Sequence, residues 1–114
     1  MSNAKQTLAS AILTLCEDKK GERITLFDVS KTSTMTDALI LTGVSNDVLG
    51  RALQEAVLKF LKDKGELVRV SGSPESGWLV VDAGEVVLHL VRNDIRDYYQ
   101  LDQLFSAKAV VYHH

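Results

Sequence analysis

The sequence predicts one domain of the α/β or α+β class, with a mixed sheet of about five strands and helices packed on it. Helical and strand patterns alternate along the chain in the order α-β-β-α-β-β-β-α. The 114 residues suit a single hydrophobic core. A composition with 46% hydrophobic and 25% charged residues is that of an ordinary globular protein. We therefore expect one domain over residues 1–114, with its core at about 5–105.

Apolar residues at helical spacing predict a first helix from about Asn3 to Lys20. Gly21 is expected to end it, because glycine tolerates a left-handed cap. Ile24 to Val29 has the pattern of a strand. The continuous apolar run from Ala38 to Thr42 is typical of a strand covered on both faces.

The rest of the chain is predicted as a helix, three strands and a helix. Ser45 or Asn46 caps the second helix, which has an apolar stripe and runs to Lys64. The three strands are Leu67–Val70, Trp78–Val81 and Glu85–Val91. Asn93 or Asp94 caps a third helix through Phe105, with a stripe of Leu101, Leu104, Phe105 and one tyrosine expected to be buried.

Two strand pairings follow from these elements. Asp82-Ala83-Gly84 is a hairpin signal, so the two strands around it should be antiparallel. The strand Leu67–Val70 follows a helical crossover from Ala38–Thr42. That pair is therefore a candidate for parallel pairing with a right-handed connection.

Charge is distributed unevenly along the chain, whose net charge is −2. Residues 71–105 carry six acids against two arginines, a net of −4, whereas residues 1–70 carry ten bases against nine acids. A protein that binds nucleic acid through phosphates needs a basic face, which this pattern does not predict. An acidic C-terminal half suits a basic protein partner. A merely solvated acidic surface is the alternative.

Cys16 is the only cysteine, so an intramolecular disulfide is impossible, which fits a reducing cytosol. No apolar run approaches the roughly 20 residues of a membrane span. The N-terminal residues do not have the pattern of a signal peptide. We therefore expect a cytoplasmic protein with no membrane partner.

Candidate chemistry is sparse. The turn Thr42-Gly43-Val44-Ser45 could present backbone N–H groups to a phosphate, but it lacks the Lys and glycine density of a P-loop, and we favour the interpretation in which Gly43 makes the turn and Ser45 caps the helix. His89 could form a catalytic couple with Asp82 across the hairpin, or be a structural histidine. No spacing supports a metal site or cofactor.

The aromatic residues suggest an interaction surface instead. Trp78 stands at a strand start, and Tyr98 and Tyr99 are adjacent on a helix, so they point about 100° apart and cannot both face the core. Arg96 is next to them. Trp, Tyr and Arg are the residue types that anchor protein interfaces. A core role for Trp78 and an incidental exposed tyrosine is the alternative.

Four ordered blocks together resemble the ribosomal silencing factor family (RsfS, also called Iojap-related). They are Asp28-Val29, the segment from Thr36 to Ser45, the segment from Gly77 to His89, and Arg96-x-Tyr98-Tyr99-x-Leu101-x-x-Leu104-Phe105. The resemblance covers about residues 5–105. The chain departs from the family pattern at Ala38-Leu39, where an aromatic pair is usual, at Ala83, where Tyr is usual, and at Phe105, where Trp is usual.

The resemblance implies a small domain of nucleotidyltransferase-like topology that lacks the catalytic acids and is not an enzyme. It implies binding to the large ribosomal subunit through a basic ribosomal protein, the one numbered fourteen on the intersubunit face. Such binding would block subunit association and repress translation when nutrients are scarce, without a cofactor. The free protein could be a homodimer. The alternatives are an enzyme of nucleotidyltransferase-like fold using Asp82 and His89 and a small dimeric regulator of another pathway. The expected partner-binding residues are Trp78, Asp82, Glu85, Arg96, Tyr98 and Tyr99.

Overall fold

The computed structural model describes residues 7–31, 33–105 and 109–113, the last segment as backbone only. Its helices are α1 Leu8–Asp18, α2 Asp47–Asp63, α3 Asn93–Tyr98 and α4 Leu101–Phe105. Its strands are β1 Glu22–Asp28, β2 Ala38–Val44, β3 Arg69–Ser73, β4 Trp78–Asp82, β5 Val86–Arg92 and β6 Ala109–His113. The predicted start of the first helix at Asn3 lies outside the described residues.

The strands form one mixed sheet in the order β3-β4-β5-β2-β1-β6. Only β2 and β5 pair in parallel; the other four neighbouring pairs are antiparallel. The predicted fold class is confirmed, and the hairpin between β4 and β5 is antiparallel as expected. The sixth strand, β6, was not predicted. It pairs with the outer edge of β1, beyond the expected core.

Helices α1 and α2 cover one face of the sheet and enclose the larger core. The side chain of Thr7 caps α1 by accepting from the backbone N–H of Ser10, and that of Asn46 caps α2 by accepting from Leu49. The fully buried side chains of α2 recur at helical spacing: Leu53, Val57 and Leu61. They pack against alternate residues of β2, β4 and β5.

The short helices α3 and α4 cover only part of the opposite face. Leu101 and Phe105 from α4 pack there with Phe27, Leu41 and Val91 of the sheet. Near β4 this face is only half covered, and the side chains of Trp78 and Val80 are half-buried. We call this partly covered side of β4 and β5 the open face.

The predicted parallel pairing of Leu67–Val70 with β2 is wrong. The strand β3 instead pairs antiparallel with β4, and β5 is the parallel neighbour of β2. The position beside β2 is buried on one face and partly covered on the other, which suits the apolar sequence of β5 better than Arg69-Val70-Ser71-Gly72-Ser73. The strand β3 is therefore left at the exposed edge.

The expected single third helix is also wrong, because the chain turns between α3 and α4. Gln100 takes a φ of 52°, which no α-helix accommodates. After this turn Leu101 and Phe105 are buried, whereas Leu104 stays 64% exposed. Tyr98 and Tyr99 are both exposed, so neither tyrosine joins the expected buried stripe.

Two glycines have roles other than those predicted. Lys20, not Gly21, takes the left-handed conformation after α1, with φ of 68°. Gly21 is needed for space, since a Cβ there would lie 2.9 Å from the carbonyl oxygen of Cys16. Gly43 lies within β2 rather than in a turn, and a Cβ there would collide with Asn93 Oδ1. Both positions mark close packing between elements.

Candidate interaction surface

A row of ring-bearing side chains runs from the molecular surface into the smaller core. We call it the aromatic row, and its members in spatial order are Tyr98, Tyr99, Trp78, His89, Phe105 and Phe27. At its outer end the ring centroids of Tyr98 and Tyr99 lie 4.9 Å apart and meet edge to face. The Tyr99 and Trp78 centroids are 6.2 Å apart. These spacings are those of favourable aromatic pairs.

The inner end of the row anchors it to the core. His89 lies 6.1 Å from Trp78 and 5.2 Å from Phe105, measured between ring centroids. Phe105 meets Phe27 edge to face at 5.7 Å. The outer rings therefore rest on the half-buried Trp78, which is connected through His89 to the buried Phe105, and this support leaves them little side-chain freedom to lose on binding.

A hydrogen bond fixes Trp78 to His89. Trp78 Nε1–H donates to His89 Nδ1 at 3.1 Å, so the imidazole is neutral and carries its proton on Nε2. Burial lowers the pKa of His89, which favours this neutral form. The histidine thus orients the indole ring on the open face.

The couple between His89 and Asp82, on which the enzymatic alternative depends, does not form. Asp82 faces Val87 across the hairpin, and His89 faces Val80. The Asp82 carboxylate instead accepts from the backbone N–H of Gly84 at 2.8 Å and closes the turn. The acid–base pair of the enzymatic alternative is therefore not assembled.

Asp82 lies at the far end of the open face from the tyrosines, and Glu85 follows it in the hairpin turn. Trp78, Val80 and Asp82 alternate along β4 and so share this face. An open groove of about 630 Å³ adjoins Asp82, and its walls include Met35, Thr36, Leu67, Val68, Arg69 and Val87. Met35 and Leu67 are 87% and 92% exposed. Acidic and apolar groups are thus adjacent at this end.

Arg96 is not on the surface, and its expected contact role needs correction. Its side chain is 0% exposed. The guanidinium donates twice to Asp102, from Nη2 to Oδ1 at 2.6 Å and from Nε to Oδ2 at 3.0 Å. Nη1 donates to the backbone carbonyl of Glu22 at 3.3 Å. With its donors directed inward, Arg96 cannot touch a partner directly.

Arginines pair with most of the acids that suggested an acidic surface. Asp102 binds Arg96, Asp97 binds Arg23, Asp94 binds Arg92, and Glu75 binds Arg51. The hydrogen bonds from Arg92 lower the pKa of Asp94. Among the described residues, Asp82 and Glu85 have no such ion pair. Within residues 71–105, the two acids without an ion pair are therefore both at the hairpin.

Sequence reasoning missed several residues that build this surface. Phe27 is distant in the sequence from the other members of the aromatic row, and no sequence pattern indicated a role for Arg23. Arg23 sits at an irregularity of β1 with φ of 49°, and its guanidinium lies 2.9 Å from Asp97 and 3.7 Å from Asp102. The one sequence feature that could have indicated this packing is Gly43, since a glycine within a strand often marks the close approach of another segment.

Other kinds of site find no support in residues 7–31 and 33–105. No group of three or more His, Cys, Asp or Glu side chains there is placed to hold a metal ion. Cys16 is fully buried, and burial, followed by the charge of Glu17, raises its pKa to about 12. No helix in the described part of the chain is long and apolar enough to cross a membrane.

Known proteins resemble this chain over most of its length. The family model described as "Ribosomal silencing factor during starvation" matches residues 2–113. The ribosomal silencing factor RsfS of Chromobacterium violaceum is 36% identical over 105 residues, which are 90% of this chain and 85% of that protein.

Two crystal structures share the fold. That of a Chromobacterium violaceum protein has a TM-score of 0.78 and 29% identity, covering 86% of this chain and 82% of that one. That of a Bacillus halodurans protein has a TM-score of 0.81 at 24% identity, covering 95% and 99% of the two chains. The family match over nearly the whole sequence and the relative of 36% identity show that the chain belongs to the ribosomal silencing factor (RsfS) family.

Proposed function

We propose that this protein binds the large ribosomal subunit and prevents the small subunit from joining it, and so represses translation under nutrient limitation. Membership of a family named for ribosomal silencing during starvation supports a regulatory role at the ribosome. The proposed partner on the subunit is the basic ribosomal protein numbered fourteen on the intersubunit face. Such a protein would act in the cytoplasm, as a binding protein rather than an enzyme.

The exposed outer end of the aromatic row carries this proposal. Tyr98 and Tyr99 are 77% and 58% exposed, and Trp78 beside them is half-buried. Three large aromatic rings in contact on a surface are unusual unless a partner covers them. Tyrosine and tryptophan lose little entropy when they are ordered, which is why they dominate interface energetics.

The hairpin end of the open face would supply the polar rim. Asp82 and Glu85 are charged groups without an ion pair in the described residues, and Asp82 lines the apolar groove. A basic partner would offer them the missing positive charge. Aromatic anchors at one end and acids at the other would fix the orientation of the bound protein.

Occlusion requires only that the bound protein occupy part of the intersubunit face. A standard interface buries about 800 Å² on each partner. The molecule has 6635 Å² of accessible surface, so one side suffices for such a contact while the rest projects from the subunit. The projecting part would then obstruct the other subunit, with no chemical step and no cofactor.

Co-sedimentation and light scattering test the proposal directly. The purified protein should sediment with isolated large subunits and not with small ones. Light scattering should then show slower and less complete association of the two subunits as protein is added. Unchanged association at saturating protein would contradict the occlusion mechanism, and absence from the large-subunit pellet would contradict the partner.

A further inference from the structure

The turn between α3 and α4 carries the outer aromatic residues but has little intrinsic stability. The two helices contain 6 and 5 residues, which is too short for either to persist by itself. Gln100 between them takes φ of 52°, a conformation that disfavours a non-glycine residue. Tyr98 and Tyr99 lie directly before this residue. Side-chain contacts must therefore hold the two tyrosines in their observed orientations.

The buried side chain of Arg96 spans this turn. It extends from α3 and binds both carboxylate oxygens of Asp102 on α4, at 2.6 and 3.0 Å. Its remaining Nη1 reaches the carbonyl of Glu22 on β1 at 3.3 Å. Three segments of the chain are therefore joined by one planar group whose geometry allows little rotation.

Burying the Arg96 cation is expected to add little to the free energy of unfolding. Apolar side chains of similar volume often stabilise a core as well as a buried ion pair does, because the charges lose their hydration. What the bidentate pair adds is a defined geometry between the two helices. Arg23 reinforces it from the outside, with its Nη1 2.9 Å from Asp97 and 3.7 Å from Asp102.

We infer that Arg96 is a positioning residue for partner recognition. Its bidentate ion pair with Asp102 holds α4 against α3, and this arrangement directs Tyr98 and Tyr99 outward beside Trp78. The inference rests on the proposed function, since it concerns the same surface. It assigns Arg96 an indirect role in place of the contact role that the sequence suggested. The tyrosines touch the partner, and Arg96 sets where they stand.

Three variants separate this role from plain stability. Asp102→Asn keeps the shape but removes the charge that binds Arg96, whereas Asp102→Glu keeps a carboxylate, and Asp102 is exposed enough to admit a longer side chain. Val57→Ala is the matched control, because it leaves a cavity in the larger core under α2 and does not touch α3 or α4. Thermal melts establish that the variants are folded and how much each is destabilised.

Two readouts are then compared among the folded variants. The first is the nuclear Overhauser effect between the rings of Tyr99 and Trp78, whose centroids are 6.2 Å apart. The second is the affinity for isolated large ribosomal subunits, measured by fluorescence anisotropy. We expect Asp102→Asn to lose the ring contact and to bind about tenfold or more weakly, as when an interface anchor is displaced. Asp102→Glu and Val57→Ala should keep both.

The inference is overturned if Asp102→Asn keeps the ring contact and parental affinity, or if Val57→Ala loses them to the same degree. Should the parent not bind large subunits, the proposed function fails, while the ring contact still decides whether Arg96 positions the tyrosines. If Asp102→Asn does not fold, Arg23→Gln is tested in its place. Arg23 is 41% exposed, and its removal weakens the same contact between α3 and α4. Arg23→Gln with an unchanged ring contact would then overturn the inference.

Discussion

Individual side chains divide sharply between those that hold the fold and those that face solvent beside them. Arg96 and Tyr99 are only three positions apart, yet one is fully buried and the other mostly exposed. Leu101 and Leu104 show the same contrast on α4. The exposed members of these pairs can change without damage to the core, so they are the residues that test function.

Replacing either exposed tyrosine should weaken binding without unfolding the protein. We expect at least one of Tyr98→Ala and Tyr99→Ala to lose about 2 kcal/mol or more of binding free energy, as interface anchors do. Stability should change by only about 0.5 kcal/mol, since both side chains are exposed. Titration with large subunits and thermal melts measure the two quantities.

Leu67→Ser is the matched control for this pair, because Leu67 is also exposed but lies at the groove end of the open face. If both tyrosine variants bind like the parent and Leu67→Ser does not, the contact is centred on the groove.

Acid should destabilise the fold through His89. Burial lowers its pKa below the usual value of about 6.5, so between the lowered value and 6.5 the unfolded chain binds more protons than the folded one. The free energy of unfolding should therefore fall as the pH decreases through about 6.5, and this contribution levels off below the folded-state pKa. Urea unfolding at a series of pH values measures the effect.

His89→Gln is the control for the acid effect, because its amide oxygen can accept from Trp78 Nε1–H but does not titrate. Its stability should be flatter over the same pH range. Parallel losses in the parent and in His89→Gln would show that another group is responsible.

At the scale of elements, close approach decides which helix can lie where. The helix α3 starts against β2 at Gly43, where a side chain would displace Asn93. Asn93 in turn donates from Nδ2 to Glu22 Oε1 at 2.7 Å, and Arg23 Nη2 donates to Asn93 Oδ1 at 3.2 Å. A glycine inside a strand thus allows the polar contacts that attach α3 to the sheet.

Alanine at two glycines should act in opposite directions. Gly43→Ala should destabilise the protein by roughly 1–3 kcal/mol, because the new methyl group overpacks the site against Asn93. Gly50→Ala should stabilise it by about 0.4–1 kcal/mol, because Gly50 lies inside α2 and its nearest neighbour would be at an ordinary 3.5 Å. Denaturant unfolding measures both. A stabilised Gly43→Ala variant would refute the close packing of α3 on β2.

For the whole molecule, ion pairing weakens the electrostatic field that a distant partner would experience. The net charge is −2, and four of the six acids in residues 71–105 bind arginines. In this segment only Asp82 and Glu85, at the hairpin, are left without an ion pair. We therefore expect long-range electrostatic attraction to raise the association rate with a basic partner only moderately.

Association with large subunits should slow as ionic strength rises. The Debye length shrinks from about 10 Å at 0.1 M to about 3 Å at 1 M, which screens attraction between separated charges. Stopped-flow association rates at several salt concentrations measure the dependence. The double variant Asp82→Asn with Glu85→Gln should show a weaker slope. An equal slope in parent and variant would assign any salt effect to other charges.

The sequence by itself determined most of the elements and the class of the fold. Periodicity identified α1, α2 and the strands β1, β2, β4 and β5, because local burial patterns repeat every 3.6 or two residues. It also pointed to Trp78, Tyr98 and Tyr99 as surface candidates, and the ordered blocks led to the family that the comparisons show. These are properties that short stretches of chain carry within themselves.

Only the tertiary structure decided which stretches meet. The partner of β2, the addition of β6 and the turn at Gln100 depend on contacts between residues far apart in the chain, which no local pattern encodes. The same holds for Arg96: an arginine next to two tyrosines suggests a contact residue, and its burial becomes visible only when Asp102 and the Glu22 carbonyl are brought to it. Desolvation and hydrogen bonding act in three dimensions, so they, and not the order of residues, settled its role.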